Sequence, residues 1–314
     1  MPREVGGRRP SSEVRFPVMS TEAHVLVVGG TPGLAHDARD RIIELERRWT
    51  RFHPSEITAL NARAGEPVDV SLDTLQLVEA CVTAWEATDG RFDPSVLASM
   101  VASGYDRSID ELDPDDVRPP AQTDGSPGLA GVFVWPELQR VMLPAGVGID
   151  PGGIGKGLAA DLVVDELLEA GAAGALVNLG GDCRVGGQPP EGDRWTVSVT
   201  DPWKADVEFA RVALEGGGVA TSSRLRRRWT RGGRELHHLI DPRTGEPVST
   251  DVISATVVAG LAWWAEACTK SLMVAGAERG LSSLSEASAI VVLADGSWQA
   301  TPDLMTAVVR ERHD

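Results

Sequence analysis

Residues 149–182 read IDPGGIGKGLAADLVVDELLEAGAAGALVNLGGD. Gly152, Gly153, Gly155 and Gly157 surround one lysine, Lys156, and an amphipathic run follows at once. Ala160, Val163, Val164, Leu167 and Leu168 recur at helical spacing, so they predict a buried stripe. Asp161, Asp165, Glu166 and Glu169 would then face water, and Gly171 would end the helix. GALVNLGGD (174–182) then reads as a buried strand closing in two glycines and an acid. A glycine-rich turn that opens a helix presents free N–H groups and the positive end of the helix dipole, and a lysine adds a mobile cation. Two readings stand: a phosphate cradle, or a helix start with spare glycines. A P-loop wants Ser or Thr after its lysine, and Gly157 stands there. A dinucleotide fingerprint needs a buried strand before it, and VGID is short and ends in an acid.

Outward from this stretch, helices alternate with antiparallel-looking strands. EAHVLVVGG (22–30) predicts a first strand. Leu34, Ala38, Ile42, Leu45 and Trp49 predict a helix over 34–49. Residues 52–70 read as a loop with a helical turn. Ser71 is a helix N-cap ahead of Leu75, Val78, Val82 and Trp85, with Gly90 at the far end. GRFDPSV (90–96) breaks the chain, and 106–127, rich in Asp, Pro and Ser, reads as a surface excursion. RWTVSVTDP, VEFARVALEG, ISATVVAG and ASAIVVLADGSWQATP supply strands, and 262–276 a helix. The class is α+β, with antiparallel sheets and packed helices, rather than a doubly wound parallel sheet.

Composition narrows the function. A chain of 314 residues with net charge -16 is a poor match for nucleic acid or an anionic membrane. Cys81, Cys183 and Cys268 are odd in number and have no metal-ligand spacing, which fits a reducing compartment. The N-terminus lacks the apolar core of a signal peptide. The longest uncharged run, VISATVVAGLAWWA, stops at Glu266, short of the roughly 20 residues a span needs. The expectation is a cytoplasmic protein: a tail over 1–13, then one domain over 14–314.

Seven pieces follow one another in order: FHPSEITALN, TDGRFDPSV, IDPGGIGKGLAAD, LVNLGGD, GVATSS, HHLIDPRTGEPV and ATVVAG…AEACTKSLMVAG. In this the chain resembles the ApbE-type flavin transferases, FAD:protein FMN transferases, over roughly its whole length. The resemblance implies an FAD cleft between two lobes. It also implies cleavage of FAD at its pyrophosphate, transfer of FMN to a Ser or Thr of an acceptor protein, release of AMP, and assistance by Mg2+. It places Lys156 against the flavin or its phosphates. It places Met19, Phe52, Arg91, Phe92, Asp93, Asp150, Gly181 and Leu239 at the cofactor. For Met19 and Phe52 the plain alternative is core packing, for Asp93 an Asx turn before Pro94, and for Gly181 a tight strand exit. His238 is the expected general base, with Asp241 beside it; the alternative for Asp241 is the turn DPRTG. His237 reads as an outward-pointing strand neighbour. Lys156→Ala is expected to weaken FAD binding or abolish turnover while leaving the fold intact.

The pattern departs from the family at the metal helix. Glu266 stands where the family has Asp, and Lys270 where it has Thr. Gly153, Glu266 and Thr269 are the oxygen ligands left for Mg2+. Lys270 either pairs with Glu266 along the helix or stands in for the cation. The basic run SSRLRRRWTRGGR reads as a charged hairpin edge or as a steering patch. Besides the transferase, a non-catalytic FAD-binding relative remains open. A Rossmann-type dehydrogenase is disfavoured by the missing glycine fingerprint.

Overall fold

The computed structural model describes residues 9–306. The chain opens with β1 (Ser11–Val18) and β2 (Thr21–Val28), followed by α1 (Leu34–Trp49), α2 (Glu56–Ala62), β3 (Val68–Asp69), α3 (Leu72–Ala87) and α4 (Leu97–Ala102). β4 (Phe133–Trp135) and β5 (Arg140–Met142) complete a small sheet with β3. Next come α5 (Gly155–Glu169), β6 (Gly174–Leu179), β7 (Asp182–Gly187), β8 (Trp195–Thr200), β9 (Glu208–Leu214) and β10 (Gly217–Ser223). The hairpin of β11 (Arg228–Arg231) and β12 (Arg234–His237) precedes β13 (Val252–Ala259), α6 (Ala262–Ala275), α7 (Ala277–Ser282), β14 (Ala287–Leu293) and β15 (Trp298–Ala300).

One sheet in the order β1-β2-β6-β7-β10-β13-β14-β15 organises the molecule, and every adjacent pair in it is antiparallel. Alternation along the strands gives it two apolar faces. Val25, Val27, Ala175 and Val177 join the helices α1, α3 and α5 in the main core. Val28, Leu26, Leu176, Cys183 and Val185 face the other way, where the β8–β9 ribbon covers them with Trp195 and Val197. The α+β class follows from this all-antiparallel sheet with helices on one face.

α1 occupies 34–49, and Leu34, Ala38, Ile42, Leu45 and Trp49 are buried. Ser71 caps α3 by accepting from Thr74 N–H. β1 starts at Ser11, inside the segment read as tail; residues 1–8 of that segment lie outside those described. β1 carries Pro17 and is the outer strand of the sheet, where proline is tolerated. α4 follows GRFDPSV directly, so the break is a corner between helices.

The junction of α5 with α6 carries the site. A Cβ on Gly157 would stand 2.5 Å from Ala262 O, and one on Gly218 of β10 would stand 2.3 Å from Ala262 Cα. Only glycine allows α6 to start this close to both neighbours. Asp161, expected to face water, is buried instead. Its two carboxylate oxygens accept from Ala262 N–H and Trp263 N–H, each at 2.9 Å, and pair with Arg184 at 3.1 Å. It therefore supplies from α5 the cap that Leu261, at the N-cap of α6, cannot supply. Asp161→Ala should lower the free energy of unfolding by about 3 kcal/mol, because it strands two N–H groups and a half-buried guanidinium. Asp161→Asn, which keeps one acceptor, should lose less. Urea denaturation reads both; equal losses would mean that the side-chain oxygen does not matter.

Candidate active site

A cleft open to solvent lies where the connections after α1, α3 and β5 meet α6 and the segment after β12. Met19, Phe52, Arg91, Phe92, Asp93, Asp150, Gly153, Lys156, His238, Leu239 and Lys270 all line it. The sequence reading thus brings distant residues to one place. Gly181, Asp241, Glu266 and Thr269 do not line it.

The first wall is aromatic and is held by an arginine that sequence reasoning missed. Arg51 is almost fully buried and pairs with Asp150 through Nε at 2.8 Å. Its guanidinium lies 4.2 Å from the Phe52 ring centre and 4.8 Å from that of Tyr105, the single tyrosine of the chain. Such cation–π contacts orient rings as well as attract them. Tyr105 stacks in turn on Trp229 at 5.2 Å. Asp150 also accepts from Gly152 N–H at 2.8 Å, so it shapes the turn into α5 and leaves little capacity for a ligand. Asp93 is similarly engaged: it accepts from Ser95 N–H and both Ser95 and Ser126 hydroxyls. Ser126 N–H donates to Pro242 O at 2.7 Å. The far end of the 106–127 excursion thereby ties the α3–α4 corner to the DPRTG turn.

His238 lines the cleft with its Nδ1 buried and without a partner among the described residues. Burial, then the positive charges of Arg227, Lys270 and Lys156, holds its pKa well below the usual imidazole value. The ring is therefore neutral near pH 7. The Asp241 carboxylate does not orient it. That carboxylate accepts from the Arg243 backbone N–H and guanidinium and builds the turn. His237 is half-buried rather than outward-facing: Nε2 donates to Val248 O, and Nδ1 accepts from Leu239 N–H.

The floor of the cleft is a closed ionic network. Glu266, fully buried, accepts from Lys156 Nζ at 2.7 Å, from Lys270 Nζ at 3.1 Å and from Gly157 N–H at 2.8 Å. Lys156 also contacts Asp182, the acid that ends the LVNLGGD piece. Burial pushes the Glu266 pKa up, but the two ammonium groups outweigh it and bring the value down to about 2. Burial and the Glu266 charge hold Asp182 above its usual range. Burial draws Lys270 down, against the pull of both carboxylates. The glycine-rich stretch is therefore chiefly a helix start that delivers Lys156 and the Gly157 N–H to Glu266.

These contacts decide the fit to magnesium. Both Glu266 oxygens are taken. Thr269 is buried on another side of α6, within 2.6 Å of the Ser222 hydroxyl of β10, and donates to Glu266 O. Gly153 backs onto Phe92 and the Lys270 stem. The set Gly153, Glu266 and Thr269 is not assembled as metal ligands, and among the described residues no group of three or more His, Cys, Asp or Glu is placed to hold a metal. Gly181 stands in the β6–β7 turn at φ +103° with its N–H bonded to Asn178, a strand exit.

Sequence reasoning gave too little weight to Arg227. Half of the arginines in the basic run are paired with carboxylates: Arg228 with Glu235, Arg234 with Glu246, Arg231 with Asp116. Arg227 alone of the run lines the cleft, and it adopts a left-handed φ of +46°.

Lys156→Ala would leave two buried carboxylates facing each other with one cation. Contrary to the expectation of an intact fold, it should cost about 3–5 kcal/mol of stability. Adding Asp182→Asn should restore part of the loss. Thermal or urea unfolding of the single and double variants checks this, and an unaltered midpoint in Lys156→Ala would refute the network.

The ApbE family model matches residues 19–293. A protein named FAD:protein FMN transferase from Rhodobacter capsulatus is 30% identical over 83% of this chain, which spans 50% of that relative's length. One of the same name from Vibrio cholerae is 27% identical over 92% of this chain and 89% of its own length. Among solved structures, the ApbE protein of Thermotoga maritima is 26% identical, covers 96% of this chain and 100% of that one, and superposes with a TM-score of 0.84. The Vibrio cholerae flavin transferase ApbE, 22% identical over 93% of this chain and 96% of that one, shares the fold with a TM-score of 0.76. With 275 of its 314 residues inside the family match, the chain belongs to the ApbE family.

Proposed function

We propose that this chain is an FAD:protein FMN transferase. The observation that carries the reading is the meeting, in one cleft, of a buried imidazole nitrogen without a partner among the described residues and the cationic groups of Lys156, Lys270 and Arg227 beside an aromatic wall. Met19, Phe52, Tyr105 and Leu239 suit the flavin ring. The ammonium and guanidinium groups suit a dianionic pyrophosphate, which needs its charge neutralised before a hydroxyl can attack. An acceptor Ser or Thr oxygen forms a bond to the FMN phosphorus, the P–O–P bridge breaks, and AMP leaves with the bridging electrons. His238 Nδ1 takes the hydroxyl proton. Burial, the largest cause of the lowered imidazole pKa, keeps the ring neutral and able to accept that proton.

Magnesium has no part in this reading, because the Glu266 and Thr269 oxygens expected to hold it are engaged elsewhere. Three buried free thiols accord with a reducing, cytoplasmic setting. No helix among the described residues is long and apolar enough to cross a membrane.

The test is incubation with FAD and a candidate acceptor protein, following AMP by chromatography and flavin fluorescence on the denatured acceptor. Both signals should appear together; FAD binding without AMP release would contradict the transferase reading. His238→Asn should slow transfer by about 10²-fold or more with FAD affinity changed far less. Since the His238 pKa is lowered, its basic form persists as pH falls. Transfer should therefore show no loss from imidazole protonation between about pH 8 and about pH 6.5. A rate that tracks an ordinary histidine titration across that window would place the base elsewhere.

A further inference from the structure

Resting on the transferase reading, we infer that Lys270 is the fixed cation of this cleft and that the protein handles the FAD pyrophosphate without a divalent metal. Four observations converge on it. Lys270 lines the cleft while its Nζ is anchored to buried Glu266 at 3.1 Å. An ammonium held in this way cannot withdraw into solvent without stranding part of a buried carboxylate. Both Glu266 oxygens already meet donors, Lys156 Nζ and Lys270 Nζ on one and the Gly157 N–H on the other, so a metal there would have to displace them. Gly153 packs against the Lys270 stem, with a Cβ there only 3.7 Å from Lys270 Cε. Thr269, the neighbouring hydroxyl on α6, is committed to Ser222 on the sheet side.

Charge balance explains why the arrangement persists before substrate arrives. Lys156, Lys270, Asp182 and Glu266 sum to zero formal charge, so the floor is satisfied on its own. A divalent ion entering beside it would face two ammonium groups at short range. A dianion, by contrast, approaches from the cleft side, where Lys270 and Arg227 are presented. Lys270 then plays an electrostatic part in binding and in stabilising the charge that builds on the leaving AMP.

The experiment is FAD titration by calorimetry and FAD cleavage by AMP release, each in EDTA and in excess Mg2+, for the wild type, Lys270→Met, Lys270→Arg and Lys270→Thr. Circular dichroism melts confirm that each variant is folded. The wild type should bind FAD with the same affinity, within about twofold, in both conditions. Lys270→Met should weaken binding about tenfold or more in both, and Lys270→Arg should recover most of it. Lys270→Thr should be weak in EDTA. A wild type whose FAD affinity rises about tenfold with Mg2+, or a folded Lys270→Met that binds and cleaves FAD like the wild type, overturns the inference. Failure of every protein to bind FAD under either condition would instead overturn the functional reading, and this inference with it.

Discussion

The buried carboxylate of Glu266 is the constraint around which the site is arranged. It sits on α6 with no exposure to water, so it must be met by donors on every side. Lys156 and the Gly157 N–H come from the first turn of α5, and Lys270 comes from one turn along α6 itself. Meeting these demands fixes the distance between the two helices, and that distance forces glycine at 157, while the close seat of α6 on β10 forces it at 218. Asp161, one turn further along α5, then caps the start of α6. One stretch of α5 thus holds the charge of α6 and sets its origin, and the eight-stranded sheet supplies the surface on which both lie.

The same arrangement prepares the cleft for an anion. The network beneath is neutral as a whole, yet Lys156 and Lys270 line the cleft while Glu266 and Asp182 do not. Arg51 does the corresponding work on the opposite wall, where its pairing with Asp150 holds Phe52 and Tyr105 in place. His238 lines the same cleft, neutral and without a partner at Nδ1 among the described residues. Groups held this way need little rearrangement when charge develops, the condition under which electrostatic catalysis is strongest.

Much of this was legible in the chain, and the limits have physical reasons. Helices with one apolar face, such as α1, show their period directly, and the order of the motif pieces pointed to residues that do share one cleft. β1 was hidden because an edge strand bearing Pro17, Arg15 and Glu13 is polar for half its length. Gly186 of β7 and Gly218 of β10 break the apolar pattern because Val164 and Leu168 of α5, and the start of α6, lie close against them. Asp161 reads as a solvated acid until a second helix supplies its donors. Lys156 looks like a free cation because its partners, Asp182 and Glu266, are 26 and 110 residues away. Asp241 and Thr269 have the right chemistry in a promising motif, but the backbone spends the first on a turn and the second on a contact beneath α6. Periodicity and motif order survive in sequence; which donor faces which acceptor across a helix crossing does not.

The most direct test of the ionic floor is a crystal structure of the protein grown with FAD and Mn2+, with anomalous data collected for manganese. Glu266 should still be bonded to Lys156, Lys270 and the Gly157 N–H, with pyrophosphate oxygens within hydrogen-bonding distance of Lys270 Nζ and no manganese peak at Glu266. A manganese ion coordinated by Glu266 and the FAD phosphates, with Lys270 swung away, would contradict it.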